Sequence, residues 1–265
     1  MEAVSEHETR LVQELRKRTS DLNLAQEYVK DKNLVRFLRG RRQSITPAEQ
    51  MLRKNHVWLK ENDVDAIVSK PDPPGWGVNG LFPWHICGFD KNDNPVIVLK
   101  FGAWDVKSVV SNQREDFMSY AIKTMELCAR SCAHSTREKS WMGQLVGIYD
   151  FKDLSFSQMR CFEVIQITMQ ASQLFDSNYP ELLGRGFVVN APMTFQILWK
   201  LICPVMDDKT ARKITVLGSD TDIMRNEIGK YVPFAEFPKM YGGDGDNDLK
   251  IIVAPDGSPI RLSKM

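Results

Sequence analysis

The 265 residues carry 35 Lys and Arg against 34 Asp and Glu, a formal net charge of +1, and 43% of them are hydrophobic. That apolar content suffices for a core, which excludes a disordered chain, and 13 Pro with 16 Gly are too few for a fibrous one. Balanced charge provides no broad field for nucleic acid, so any anion site has to be local. The five scattered Cys, with no CxxC pair, read as reduced thiols of a cytoplasmic protein.

The amino-terminal stretch is polar and charged, without the apolar run of a signal peptide. No window offers the roughly 18 consecutive apolar residues of a membrane-crossing helix, so the chain is expected to visit membranes rather than span them. Residues 1–70 read as an all-helical lobe. Leu11, Val12 and Leu15 recur at helical spacing, and Asp31 to Arg41 sets Leu34, Val35 and Leu38 on one face against basic residues on the other. Gly40 reads as a stop, and Thr46-Pro-Ala-Glu as a capping box opening a third helix. The stretch Lys70-Pro-Asp-Pro-Pro-Gly-Trp-Gly marks the boundary of the lobe.

From 71 to 243 strands and helices alternate. Pro95 to Phe101, Gln144 to Asp150, Arg185 to Asn190 and Lys213 to Leu217 read as strands. Gln113 to Cys132, Ser157 to Phe175 and Phe195 to Met206 read as helices. Such crossovers imply a largely parallel sheet. The tail, 244–265, suggests two short strands around a Pro-Asp-Gly turn.

Visible chemistry is sparse. Neither GxxxxGK(S/T) nor GxSxG occurs. The four His (7, 56, 85 and 134) make no HExxH, and His56 and His85 read as structural. Cys128 and Cys132, four apart on one helix, read as buried thiols rather than soft ligands. Asp244, Asp246 and Asp248 imitate the start of a calcium loop, but Leu249 and Pro255 stand where Gly and Glu are needed. No metal, no cofactor and no catalytic residue is therefore expected, which favours a binder or carrier over an enzyme.

Four segments, in register, resemble the CRAL-TRIO or Sec14-like lipid-transfer family. Leu34–Arg41 resembles its LxRFLRAR helix, and Asn178–Pro192 its YPExLxxxxxxNAP segment. Trp199–Ile214 resembles its KxxxPFLxxxTxxKI stretch, and Phe237–Gly243 its LPxEYGG. Within the family the chain looks most like animal Sec14-like proteins of the supernatant-protein-factor type, ending before their GOLD domain. The resemblance implies an α/β fold: a small amino-terminal helical lobe followed by a mostly parallel sheet flanked by helices, enclosing an apolar cavity under a mobile gate helix at about Pro192–Pro204. It implies a cytoplasmic carrier that sequesters one lipophilic molecule and exchanges it during transient contact with a membrane surface.

Carried over from the family, the lipid-facing positions are Met118, Ala121 and Met125, then Leu145, Gly147 and Tyr149 on one face of a strand. Ala171, Leu174, Phe175 and Val189 join them, with Phe195, Leu198 and Ile202 on the gate. The implied phosphoinositide headgroup set is Arg41, Glu181, Thr210 and Lys213. Here the family's Arg is replaced by Leu182, and Arg185 can substitute only if geometry allows. Leu145 and Gly147 replace the hydroxyl residues that hold choline in yeast-type members. A neutral isoprenoid or sterol-like ligand, or a different phospholipid, suits these losses better. Arg36, Arg39, Arg41 and Arg42 are the candidate membrane-facing bases, a solvated or ion-paired face being the alternative. Rival readings are a lipid sensor presenting its ligand to a lipid kinase or other protein, and a binder of haem or another hydrophobic cofactor using Tyr149 and Cys128.

Overall fold

In the computed structural model, residues 4–22, 24, 30–134, 143–193 and 195–262 are described, with all their side chains except those of 196–198 and 205. Four helices come first: α1 (Glu6–Arg18), α2 (Asp31–Gly40), α3 (Ile45–Glu61) and α4 (Val64–Ser69). At α1 Ser5 forms a reciprocal capping box with Glu8. The box expected at Thr46 is absent. Helix α3 begins two residues earlier, at Ile45, and Ser44 at its cap makes no side-chain bond. Pro47 is tolerated there because first-turn amides have no acceptor within the helix. Val12, Leu15, Leu34, Val35, Leu38 and Leu52 close the lobe's core.

Helix α2 ends at Gly40, as expected, and the glycine also serves a close approach. A Cβ there would lie 2.9 Å from Pro180 Cβ, so only glycine lets α2 lie against the Tyr179-Pro180 turn. Arg36, buried, donates to the Pro180 carbonyl at 2.9 Å, and Asn55 donates to that of Asn178 at 3.1 Å. The lobe is thereby fastened to the rest of the chain.

The remaining elements are β1 (Trp84–Phe89), β2 (Pro95–Leu99), α5 (Val106–Val110), α6 (Arg114–His134), β3 (Leu145–Asp150), α7 (Phe156–Met159), α8 (Phe162–Asn178) and β4 (Leu183–Val189). They continue with α9 (Phe195–Ile202), α10 (Asp208–Arg212), β5 (Ile214–Val216), α11 (Thr221–Ile228), β6 (Ile251–Val253) and β7 (Pro259–Arg261). Among the described residues one sheet holds all seven strands, in the order β5-β4-β3-β2-β1-β6-β7. Strands β2 to β5 are parallel, as the crossovers require; β1 and the tail hairpin extend the sheet antiparallel.

Alternation along each strand divides the core. Ile97 and Leu145 face α4, α5, α6 and α8, whereas Val96, Val98, Val146, Ile148 and Phe187 face α11 and the Phe237–Tyr241 segment. The helix expected over Ser157–Phe175 breaks at Cys161. Gln158 is turned inward to donate to the Trp104 carbonyl at 2.7 Å, which ends α7 after one turn. The buried Tyr241 hydroxyl donates to Asp150 at 2.8 Å, and Asn190 donates to the same carboxylate at 2.9 Å. These bonds join the ends of β3 and β4 to the closing Tyr-Gly-Gly.

Candidate functional site

The β3 face carrying Leu145, Gly147 and Tyr149 looks toward α6 and α8, the side the sequence assigned to a ligand. Around it lies an apolar layer whose members keep accessible surface: Leu99, Phe101 and Tyr149 at the strand ends, Ile214 on β5, Met118 and Met125 on α6, and Leu174 and Phe175 on α8. These side chains pack against the buried core between the sheet and its covering helices without being fully enclosed. The Tyr149 ring folds back over the sheet, stacked on Phe101 with centroids 5.8 Å apart. A Cβ on Gly147 would meet its Cζ at 2.5 Å, and one on Gly186 its Cε2 at 3.1 Å. The two glycines are thus the floor on which this ring lies, and Gly147 does not open onto free space as the sequence reading supposed. Burial pushes the Tyr149 phenol well above its usual range.

Ala121 is buried on α6, and Ala171 is half-buried on α8. Helix α9 covers the layer from the α8 side. Phe195 is buried, with its ring centroid 4.6 Å from Phe151 and 6.1 Å from Trp199; Ile202 is half-buried, while Leu201 and Met193 are exposed. The side chain of Leu198 lies outside those described. Val189 is a correction: it is fully buried on the other face of the sheet with Val146, Ile148 and Phe187, and cannot line this space.

The polar candidates converge. Arg41, Glu181, Thr210 and Lys213 all line one cavity of about 150 Å³, together with Phe175, Asp176 and Lys209. Glu181 adopts φ 57, uncommon for a side chain other than glycine, and its carboxylate accepts from Lys213 Nζ at 2.7 Å and lies 3.5 Å from Lys209 Nζ. Thr210 donates to Asp176 at 2.9 Å. Among the described residues Arg41 has no carboxylate partner, its only bond being 3.2 Å to the Gly40 carbonyl. Lys209 and Asp176 escaped the sequence reading. Position 209, one residue before the family's Thr, was the available signal for the cation. A wider groove of about 510 Å³, between α3 and α8, shares Arg41 and Ser177 with this cavity and takes Leu174, Trp58 and Lys54 into its walls.

The pattern of the CRAL/TRIO domain matches residues 80–243. The chain belongs to the CRAL-TRIO family. It is 30% identical to a CRAL-TRIO domain-containing protein of Caenorhabditis elegans over 80% of this chain and 30% of that one. It is 29% identical to the Protein real-time of Anopheles gambiae over 94% and 36%. With the SEC14 cytosolic factor of Eremothecium gossypii it shares 29% identity over 91% of this chain and 78% of that one. The chain therefore spans about a third of the first two relatives and most of the third. The crystal structure of Sfh5 superposes with a TM-score of 0.71 at 17% identity, covering 94% of this chain and 91% of Sfh5. This confirms the Sec14-like α/β fold.

For a CRAL-TRIO chain two sequence expectations need revision. Arg185 does not replace the guanidinium lost at Leu182: it pairs across β4 with Val146 on the α11 side and stacks 4.7 Å from the Tyr231 ring. The bases of α2, rather than facing a membrane, are engaged within the chain, in line with the ion-paired alternative. Arg36 is buried, and Arg39 chelates the buried Glu8 at 2.7 and 2.9 Å, which holds that carboxyl below its usual range. Only Arg41 and Arg42 remain for other duties. Burial also pushes the Cys128 thiol up, as it does the Tyr149 phenol, so both proposed haem ligands are held protonated. Among the described residues no helix is long and apolar enough to cross a membrane, and no cluster of three His, Cys, Asp or Glu could hold a metal.

Proposed function

We propose that the chain is a cytoplasmic lipid carrier that takes one lipophilic molecule between the sheet face of Leu99, Phe101, Tyr149 and Ile214 and the helices α6 and α8, with α9 as its gate. The observation that carries this reading is the incompletely buried apolar layer under α9, in a chain of the CRAL-TRIO family. Met118 and Met125 suit it, since unbranched thioethers adapt to flexible ligands. Burying one methylene stabilises by about 0.8 kcal/mol, so a sixteen-carbon chain gains on the order of 12 kcal/mol in apolar surroundings. A bilayer gives the same gain. Exchange between the two is close to neutral, and the barrier lies in moving the gate. No catalytic step is part of this reading.

A second reading, a sensor that presents its lipid to a protein partner such as a lipid kinase, draws on the convergence of Arg41, Glu181, Thr210, Lys213 and Lys209 on one cavity at the edge of the apolar space. The cations and the Thr210 hydroxyl suit a phosphate, although no bidentate guanidinium replaces Leu182.

Native mass spectrometry of the gently purified protein, then organic extraction, tests both. A single phospholipid coming off supports the headgroup cavity and names the headgroup; a neutral isoprenoid or sterol-like molecule supports the apolar layer alone. An empty protein after incubation with mixed liposomes overturns the carrier reading. Transfer between liposomes without any protein partner decides for carrier over sensor.

A further inference from the structure

Asp176, in the last turn of α8, spends both carboxylate oxygens on the chain that leaves the gate. One accepts the backbone N–H of Asp207 at 2.8 Å, and the other accepts the Thr210 hydroxyl at 2.9 Å. Among the described residues, the hydrogen bonds from α8 to the path leading from α9 through the turn at Cys203–Val205 to α10 all come from this side chain. Asp207 then caps α10 through the Lys209 N–H at 2.8 Å, so fixing Asp207 fixes the helix after it.

The same Thr210 lines the small cavity, and the two lysines there are likewise engaged from within. Lys213 donates to Glu181 at 2.7 Å and to the Leu183 carbonyl at 2.9 Å, and Lys209 donates to the Arg39 carbonyl at 2.5 Å. A hydroxyl has one proton to give. A phosphate drawing on Thr210 has to take it from Asp176, and the two anions repel at that distance.

We infer that Asp176 is the clasp of the gate, and that a phosphate-bearing headgroup in the small cavity competes with it for Thr210, so that loading frees residues 203–212 from α8. This rests on the carrier reading and adds how cargo and gate communicate. Binding linkage makes the coupling reciprocal: whatever loosens the segment also favours the headgroup.

Hydrogen–deuterium exchange over residues 203–212, with loading followed by native mass spectrometry, tests the clasp. The probes are dioctanoyl phosphatidic acid and dioctanoylglycerol, which share their tails and differ only in the phosphate. Loading of phosphatidic acid should speed exchange in this segment severalfold, and loading of dioctanoylglycerol should leave it unchanged. Asp176→Asn should exchange fast without ligand and respond little to phosphatidic acid, a lack of additivity that mere loss of stability does not produce. Should that variant fail to fold, Thr210→Val breaks the same bond from the other side and should show the same fast exchange. Phosphatidic acid that loads while exchange slows or stays constant overturns the clasp and leaves the carrier reading standing. A protein that does not load phosphatidic acid overturns the clasp, and the carrier reading falls with it only if mixed liposomes also leave the protein empty.

Discussion

His85 stands in β1 between Trp84 and Ile86, about 2% exposed, with no hydrogen-bond partner for Nδ1 among the described residues. Burial, with repulsion from Lys100 and Lys250 added, pushes its pKa down to about 3. In the unfolded chain the imidazole titrates near 6.5. Below that pH the unfolded state binds a proton that the folded state refuses, so stability is lost as pH falls. The loss is about 1.4 kcal/mol per unit until the folded form titrates, and about 2 kcal/mol between pH 6.5 and 5. His85→Leu removes both the proton and the orphaned nitrogen. Urea unfolding at pH 7 and pH 5 should show the wild type losing about 2 kcal/mol more than the variant over that interval. Equal losses would assign the acid sensitivity to other groups. At this scale the motifs were a guide to position: Arg41, Glu181, Thr210 and Lys213, far apart in the chain, share one cavity. The sequence failed for Val189, because Gly-Phe-Val-Val in β4 is apolar toward both faces. A parallel strand covered on both sides gives hydropathy no way to tell which face is which.

Helix α9 was legible as an element because it is apolar around most of its surface, and such a helix needs a cover or becomes one. Its seating was not legible. Phe195 is 3% exposed and packed on Phe151, whereas Leu201 is 42% and Met193 93% exposed. The helix end near Phe195 is therefore an anchor, and Met193 with Leu201 is the surface offered outward. Leu201→Asp together with Met193→Asp should lower co-flotation with liposomes at least severalfold and leave the melting temperature nearly unchanged, since surface changes usually stay within about 0.5 kcal/mol. Phe195→Ala should behave oppositely, costing about 3 kcal/mol in packing and making α9 the first site of proteolysis. Undiminished flotation of the double variant would remove the exposed apolar side chains from the membrane step. The break between α7 and α8 was invisible for a different reason: Gln158 reaches Trp104, 54 positions away, and no local pattern encodes that bond.

Whole-molecule cohesion shows the same limit, since the decisive bonds cross the units that composition suggested. Arg130 on α6 donates to Glu126 at 2.9 Å and to the Pro255 carbonyl at 2.8 Å in the turn between β6 and β7, and pairs with Asp65 of α4. Gly257 in that turn takes φ 92, and a Cβ there would lie 2.5 Å from the Arg130 carbonyl, so the hairpin sits flush on the helix. Glu126, 3% exposed, also accepts the Tyr179 hydroxyl at 3.0 Å, and Tyr179 leads into the turn that receives Arg36. Lobe, sheet and tail thus meet around one buried carboxylate. Arg130→Met keeps much of the side-chain volume and leaves Glu126 buried with a single neutral donor. Breaking a buried pair from one side costs about 3 to 5 kcal/mol, chiefly through the charge left behind. Denaturant unfolding of Arg130→Met should show a loss of that order. Adding Glu126→Gln should recover more than half of it, because the amide needs no counterion and still accepts from Tyr179. If the double variant is no more stable than the single one, the loss belongs to the tethers at Pro255 and Asp65. In that case it is the docking of the tail hairpin and the lobe, rather than the buried charge, that Arg130 secures.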